Sequence, residues 1–151
     1  MINKQPIHFR IIAILLILVL LCPSPVYAAT PDIAVPTASY YLDAYTAYIC
    51  PIGHGDLQIW WNVYGAGTQV DLGVLSIMVY ESSDNVNWTW TETFTHNNYS
   101  NMLSHNDAHH MDYIYFQGTR GYYYKALVTI YGGDGTTGDS RYFWTTVEQA
   151  Y

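Results

Sequence analysis

The sequence predicts an all-β protein, a single antiparallel β-sandwich of seven to eight strands on an immunoglobulin-like or fibronectin-like plan. Two observations support this fold class. Short runs rich in Val, Ile, Tyr, Trp and Thr alternate apolar and polar side chains with a period of two, as half-buried strands do. Clusters of Gly, Asn, Asp and Ser separate these runs, and after residue 28 there is almost no helical periodicity.

Three of the runs alternate clearly enough to assign their two faces. In the run over 57–64, apolar side chains alternate with a mixed set of polar and aromatic ones. Trp61 is therefore expected inside the protein and Trp60 outside. The other two clear strands are predicted over 75–80 and 122–131, and weaker ones over about 40–50, 88–95, 111–116 and 141–148. Turns are predicted at 65–67, 82–85, 118–121 and 132–138.

The N-terminal residues 1–28 are predicted to be a signal peptide. Lys4 and Arg10 precede an apolar run over 11–22, which is shorter than the roughly 20 residues that span a bilayer. Cleavage is expected after Ala28, leaving a short linker over 29–37 and a β-sandwich domain over 38–151, with no integral membrane segment in the mature chain. Processing as a lipoprotein at Cys22 is disfavoured, because Leu21 precedes it where a small residue is needed.

The charge balance disfavours two classes of partner. The chain has five Lys and Arg against twelve Asp and Glu, and only Arg120, Lys125 and Arg141 remain basic after the predicted cleavage. Nucleic acids and anionic lipids are both bound through basic side chains, so neither is expected as a ligand. Cys50 is then the sole cysteine and is expected to be a small buried residue, although an intermolecular disulfide remains open.

The strand predicted from Tyr122 has a feature of the sandwich folds, in which a Tyr hydroxyl bonds the backbone near the strand start. Tyr122 or Tyr124 fits that role. Four features of the chain occur in a characteristic order. The predicted export signal comes first, and it is followed by MVYESSDNVNW from Met78, GYYYKALVTIYGG from Gly121 and RYFWTTV from Arg141. Over about 38–147 the chain thereby resembles the small exported bacterial proteins grouped as a domain of unknown function. The resemblance implies export and a lone β-sandwich, and it supplies no catalytic residue.

Two segments contain side chains that could bind a metal ion. If 104–112 is extended, His105, Asp107 and His109 project from one face, and two imidazoles with a carboxylate are suitable zinc ligands. The segment matches no established zinc pattern and is more simply a polar loop or strand end on the outside of the protein. The loop at 132–139 could bind calcium through Asp134 and Asp139, and its plain interpretation is a mobile hairpin loop.

Aromatic residues exceed what a core of this size needs, since the chain has 16 Tyr and five Trp. The alternation points five of these rings outward: Trp60, Tyr64, Tyr80, Tyr123 and Tyr131. Outward rings can stack on sugars or contact another protein, and they can also simply stabilise a sheet through cross-strand pairs. We therefore expect a secreted, non-catalytic binding or interaction module for a cell-envelope glycan or a protein. A self-associating structural protein is the alternative, and a metal-dependent enzyme using 105–112 comes third.

Overall fold

The computed structural model describes residues 39–151, so the predicted signal peptide and linker lie outside the described residues. Seven strands follow one another, with one 3-10 turn at Ser100–Met102 between the third and the fourth. The strands are β1 (Leu42–Gly53), β2 (Asp56–Ser82), β3 (Thr89–Thr95), β4 (Leu103–Gln117), β5 (Tyr123–Gly133), β6 (Gly138–Trp144) and β7 (Glu148–Gln149). In this part of the chain no helix is long and apolar enough to cross a membrane.

All seven strands join one antiparallel sheet that curls into a half-barrel around β2. The N-terminal half of β2 pairs with β1 on one edge and with β4 on the other. Its C-terminal half pairs with β5 and β3, while β6 and β7 both pair with β5. The all-β prediction and the strand number are confirmed, and the immunoglobulin-like sandwich plan stays a prediction.

The predicted turn at 65–67 is wrong, because β2 runs through these residues for 27 residues in all. The register shifts between Tyr64 and Gln69, which makes the glycine-containing stretch a bulge. Neighbouring strands hold the chain here: the N–H of Ala66 donates to the carbonyl of Tyr41 at 3.1 Å, and β4 pairs on both sides of the bulge. The bulge and a second register shift near Val74 allow β2 to bend rather than reverse.

The core lies on the concave face of the sheet, where the predicted inward set is found. Leu57, Ile59, Trp61 and Val63 are fully buried, and Trp60 on the same strand is half-buried, so the predicted phase of this strand is confirmed. Rings from distant strands meet in the core: Phe116 lies 5.3 Å from Tyr124, centroid to centroid. Burying each large apolar side chain contributes about 1.5–3 kcal/mol, which stabilises a sheet whose described residues contain no disulfide.

Tyr124 has the hydroxyl contact that the sequence predicted for Tyr122 or Tyr124. Its ring is fully buried, and its hydroxyl oxygen accepts a hydrogen bond from the backbone N–H of Thr119 at 2.7 Å. The hydroxyl donates in turn to Glu81 Oε2 at 3.1 Å. Burial is the main cause that raises the pKa of Tyr124, because the phenolate is disfavoured away from water.

Candidate functional site

Three rings form a row on the outer face of the sheet, across β1, β2 and β4. The register places Tyr48 opposite Trp60 and Trp60 opposite Tyr113, so the three side chains are direct cross-strand neighbours. The Tyr48 and Trp60 rings are stacked with centroids 6.3 Å apart and planes 6° apart, and Trp60 lies 4.4 Å from Tyr113 at 39°. Such pairs stabilise a sheet, and here they also present ring area to solvent. We call Tyr48, Trp60 and Tyr113 the aromatic row.

The row continues along β4, whose alternate side chains share its face. Tyr115 meets Tyr113 edge to face at 5.2 Å and is 61% exposed. Met111, two residues before Tyr113, is 56% exposed. Exposed apolar side chains grouped in this way are a common mark of a binding surface.

Amide side chains flank Trp60 on its own strand. The indole N–H of Trp60 donates to Gln58 Oε1 at 3.1 Å, and Asn62 Oδ1 lies 2.7 Å from His109 Nε2. The outer face thus combines flat rings with hydrogen-bonding amides, which are the two components that orient a small polar ligand on an apolar surface.

A groove of about 360 Å³ adjoins the aromatic row along β4. Its lining residues come from β4 and from the segment that precedes it: Tyr99, Asn101, Asp112, Tyr113, Ile114 and Tyr115. Asn101 Nδ2 donates to the backbone carbonyl of Tyr113 at 3.1 Å, which ties the preceding segment to the edge of β4. Asp112 Oδ1 accepts from the backbone N–H of Tyr113 at 2.7 Å. The neighbouring Tyr115 is the main cause that raises the pKa of Tyr113, and Asp112 adds to it.

The structure brings only two of the five predicted outward rings to this site. Trp60 belongs to the aromatic row, and Tyr64 stacks on His109 at 4.3 Å with planes 14° apart, farther along the same face. Tyr64 is 42% exposed. The predicted outward phase therefore holds for both residues.

The other three predicted rings lie on the second half of the sheet. Tyr80 is half-buried against Trp144 at 5.4 Å, within a second aromatic cluster that includes Trp88 and Lys125. Tyr123 and Tyr131 lie near opposite ends of β5 and are both half-buried. The five rings consequently do not form one surface, because the phase of a strand gives the direction of a side chain and not its position along the sheet.

The three residues predicted as a zinc site are not assembled into a ligand set. No group of three or more His, Cys, Asp and Glu side chains within 39–151 could hold a metal ion. The segment is a strand, as the prediction required, and Asn106 within it has φ +56°, in the left-handed region. His105 Nδ1 instead lies 2.6 Å from Asp71 Oδ1, while His109 contacts Asn62.

The two carboxylates suggested for calcium likewise have separate partners. Asp134 Oδ1 accepts from the backbone N–H groups of Thr136 and Thr137 at 2.9 and 2.8 Å and so closes its own turn. Asp139 Oδ2 accepts from the hydroxyl of Ser39 at 2.6 Å. The first contact closes the connection between β5 and β6, and the second ties the start of β6 to the chain before β1, so the segment is a hairpin connection.

Most residues of the site could not be identified from the sequence. Tyr48 and the tyrosines of β4 lie in weakly alternating segments, which predict strands without indicating their exposed face. The spacing of Met111, Tyr113 and Tyr115 is a period-two signal that could have assigned these three to one exposed face. Tyr99 and Asn101 precede the strand and carry no such signal.

The comparisons with known proteins give no relative. No family model, no curated protein and no solved structure matches the chain.

Proposed function

We propose that this is an exported, non-catalytic protein that binds a glycan chain on its outer sheet face. The observation on which the proposal depends is the aromatic row with its flanking amides and its adjoining groove. Sugar rings have flat C–H faces that pack on aromatic rings, while their hydroxyls bond amides and carboxylates. Export and an immunoglobulin-like sandwich plan are part of the proposal, and both come from the sequence alone.

The direct test is a glycan array followed by titration of tryptophan fluorescence with the oligosaccharides that bind. Trp60 is the indole in the row, so bound sugar changes its emission. Trp60→Ala should weaken binding about tenfold, which corresponds to about 1.4 kcal/mol for a central aromatic contact. Trp90→Ala is the matched control, because Trp90 is an exposed tryptophan on β3 outside the row.

Three results would decide the proposal. Selective loss of affinity in Trp60→Ala, with an unchanged circular dichroism spectrum, supports it. An array without signal overturns it. Equal loss in Trp60→Ala and Trp90→Ala places the binding surface elsewhere and also overturns the assignment to the aromatic row.

Self-association through the second aromatic cluster is the other candidate, and a specific observation favours it. The outer face beside this cluster exposes large rings on β3 and β6, with Trp90 54%, Trp144 49% and Tyr142 75% exposed. Sedimentation velocity over a range of concentrations tests it. A mass that rises with concentration in the wild type and not in Trp144→Ser supports this candidate, and a constant monomer mass removes it.

A further inference from the structure

We propose that the groove beside the aromatic row takes a protonated amino sugar, so that the glycan bound by this protein is a cationic polymer of the polyglucosamine type. This inference rests on the proposed function and specifies its ligand. It concerns the groove lined by Tyr99, Asn101, Asp112, Tyr113 and Tyr115. At about 360 Å³, the groove is at the small end of the roughly 300–1,000 Å³ that ligand sites occupy, and it accommodates one sugar unit.

The lining has the composition of an ammonium site. Three tyrosines line the groove, and the rings of Tyr113 and Tyr115 meet edge to face at 85°. A cation is attracted to the face of an aromatic ring, and several rings around one ammonium make the cage by which methylated amines are recognised. A neutral sugar gains nothing from this arrangement beyond packing.

Asp112 supplies the negative charge at the groove. Its Oδ1 accepts the backbone N–H of Tyr113, whereas within the described residues its Oδ2 has no hydrogen-bond partner. The half-buried carboxylate is therefore available to an ammonium group. A charge-assisted hydrogen bond of this kind is stronger than one between neutral groups.

Basic side chains are absent from the lining of the groove. Of the three Lys and Arg residues in the described part of the chain, Lys125 lies at the second aromatic cluster, Arg141 beside Asp139, and Arg120 in the turn before β5. A polyuronate or sulfated glycan would meet Asp112 without a compensating cation. The groove thus disfavours anionic glycans, and the formal net charge of −7 acts in the same direction.

The second aromatic cluster shows that rings of this chain do hold an ammonium group. Lys125 Nζ lies 4.2 Å from the ring centroid of Trp88 and 5.1 Å from that of Trp144. The groove has the same elements without a cation of its own, and its carboxylate adds to the attraction. The aromatic row beside it favours a sugar polymer over a lysine-containing peptide, because the row is a flat surface on which further sugar units can stack.

The test is a titration of the purified protein with three oligomers of equal length, at a pH at which amines are protonated. They are β-1,4-linked glucosamine hexamer, its fully N-acetylated form and a hexuronate. The glucosamine hexamer should bind about tenfold more tightly than the acetylated form, and the hexuronate should bind most weakly. Asp112→Asn should reduce the affinity for the glucosamine hexamer about tenfold and leave that for the acetylated form unchanged.

Asp43→Asn is the matched control, because it removes the same charge from an exposed site on β1 outside the groove. Unchanged affinity in this variant supports a local contact, whereas a loss equal to that in Asp112→Asn overturns the groove as the site. Equal affinity for the acetylated and free hexamers overturns the amino-sugar inference and leaves the proposed function standing. No binding of any oligosaccharide, here or on the array, removes both. Binding of a trimethyl-lysine peptide without binding of the sugars assigns a protein ligand instead and overturns the inference.

Discussion

The hydroxyl of Tyr124 on β5 lies 2.7 Å from the backbone nitrogen of Thr119, five residues earlier, and accepts its hydrogen bond. The same hydroxyl donates to Glu81 at the end of β2. One buried side chain thus fixes the entry of the chain into β5 and joins it to the central strand. Both hydrogen bonds are part-buried, so removing the hydroxyl takes this partner from the Thr119 N–H and from the Glu81 carboxylate.

Tyr124→Phe should lower the free energy of unfolding by about 0.5–1.5 kcal/mol, because the part-buried hydrogen bonds of its hydroxyl with the Thr119 N–H and with Glu81 are lost. Urea denaturation followed by circular dichroism measures the change. Tyr122→Phe is the matched control: Tyr122 is half-buried at the edge of the core, and no hydrogen bond to its hydroxyl is found in the described structure. Equal stability of the two variants would contradict the role given to Tyr124.

Gly118→Ala should destabilise the protein by about 1–3 kcal/mol through overpacking. A Cβ at this position would lie 2.7 Å from the Tyr124 ring and 2.9 Å from Leu57 Cδ1, both in the core. The backbone of Gly118 is not in the left-handed region, so the loss would come from contact rather than from backbone strain. Thermal unfolding measures it, and an unchanged midpoint would show that the ring can move aside.

Trp60→Ala and Trp61→Ala should differ sharply in stability although the residues are adjacent. Trp61 is fully buried, and truncating such a side chain costs about 3–5 kcal/mol, whereas Trp60 lies half-buried on the outer face. Chemical denaturation of both variants tests the assignment of the two faces. A greater loss of stability in Trp60→Ala would mean that Trp60, and not Trp61, is the buried residue. It would contradict the outer face on which the binding proposal depends.

The turn at Asp134 should weaken in acid. Hydrogen bonds from the backbone N–H of Thr137 and then of Thr136 lower the pKa of Asp134 from 3.8 to about 2. A carboxyl group with a lowered pKa in the folded state contributes stability above its ordinary pKa. That contribution is lost as pH falls from about 4 towards about 2. Nuclear magnetic resonance titration of the Asp134 carboxyl carbon measures this, and a midpoint at or above 3.8 would contradict it.

The strand faces could be predicted from the sequence wherever the alternation is unbroken. Trp61 and Val63 are buried and Tyr64 is exposed as expected, since one buried face imposes a period of two. The same reasoning failed at Gly65 and Gly67, where the glycines mark a bulge that neighbouring strands hold in register. Local composition is the same for a bulge and for a turn, and only the partner strands distinguish them.

The candidate site could be predicted only in part, because it depends on strand pairing. The period of two points Trp60 outward, but its contact with Tyr113 joins residues 53 positions apart, and no periodicity in a single sequence encodes that register. The zinc hypothesis failed as well. His105 and His109 are hydrogen-bonded to Asp71 and Asn62 of β2 instead.

The length of β2 has a consequence for how the chain reaches its fold. In the sequence, its partners β1 and β5 are separated by β2 itself and by β3 and β4. The last residue of β5 that pairs with β2 is Gly133. A chain that emerges from a ribosome or a translocon N-terminus first keeps part of the β2 edge unpaired until nearly all of it has emerged. Exposed edges of this kind recruit other chains, so a holding chaperone should raise the yield of native protein during synthesis.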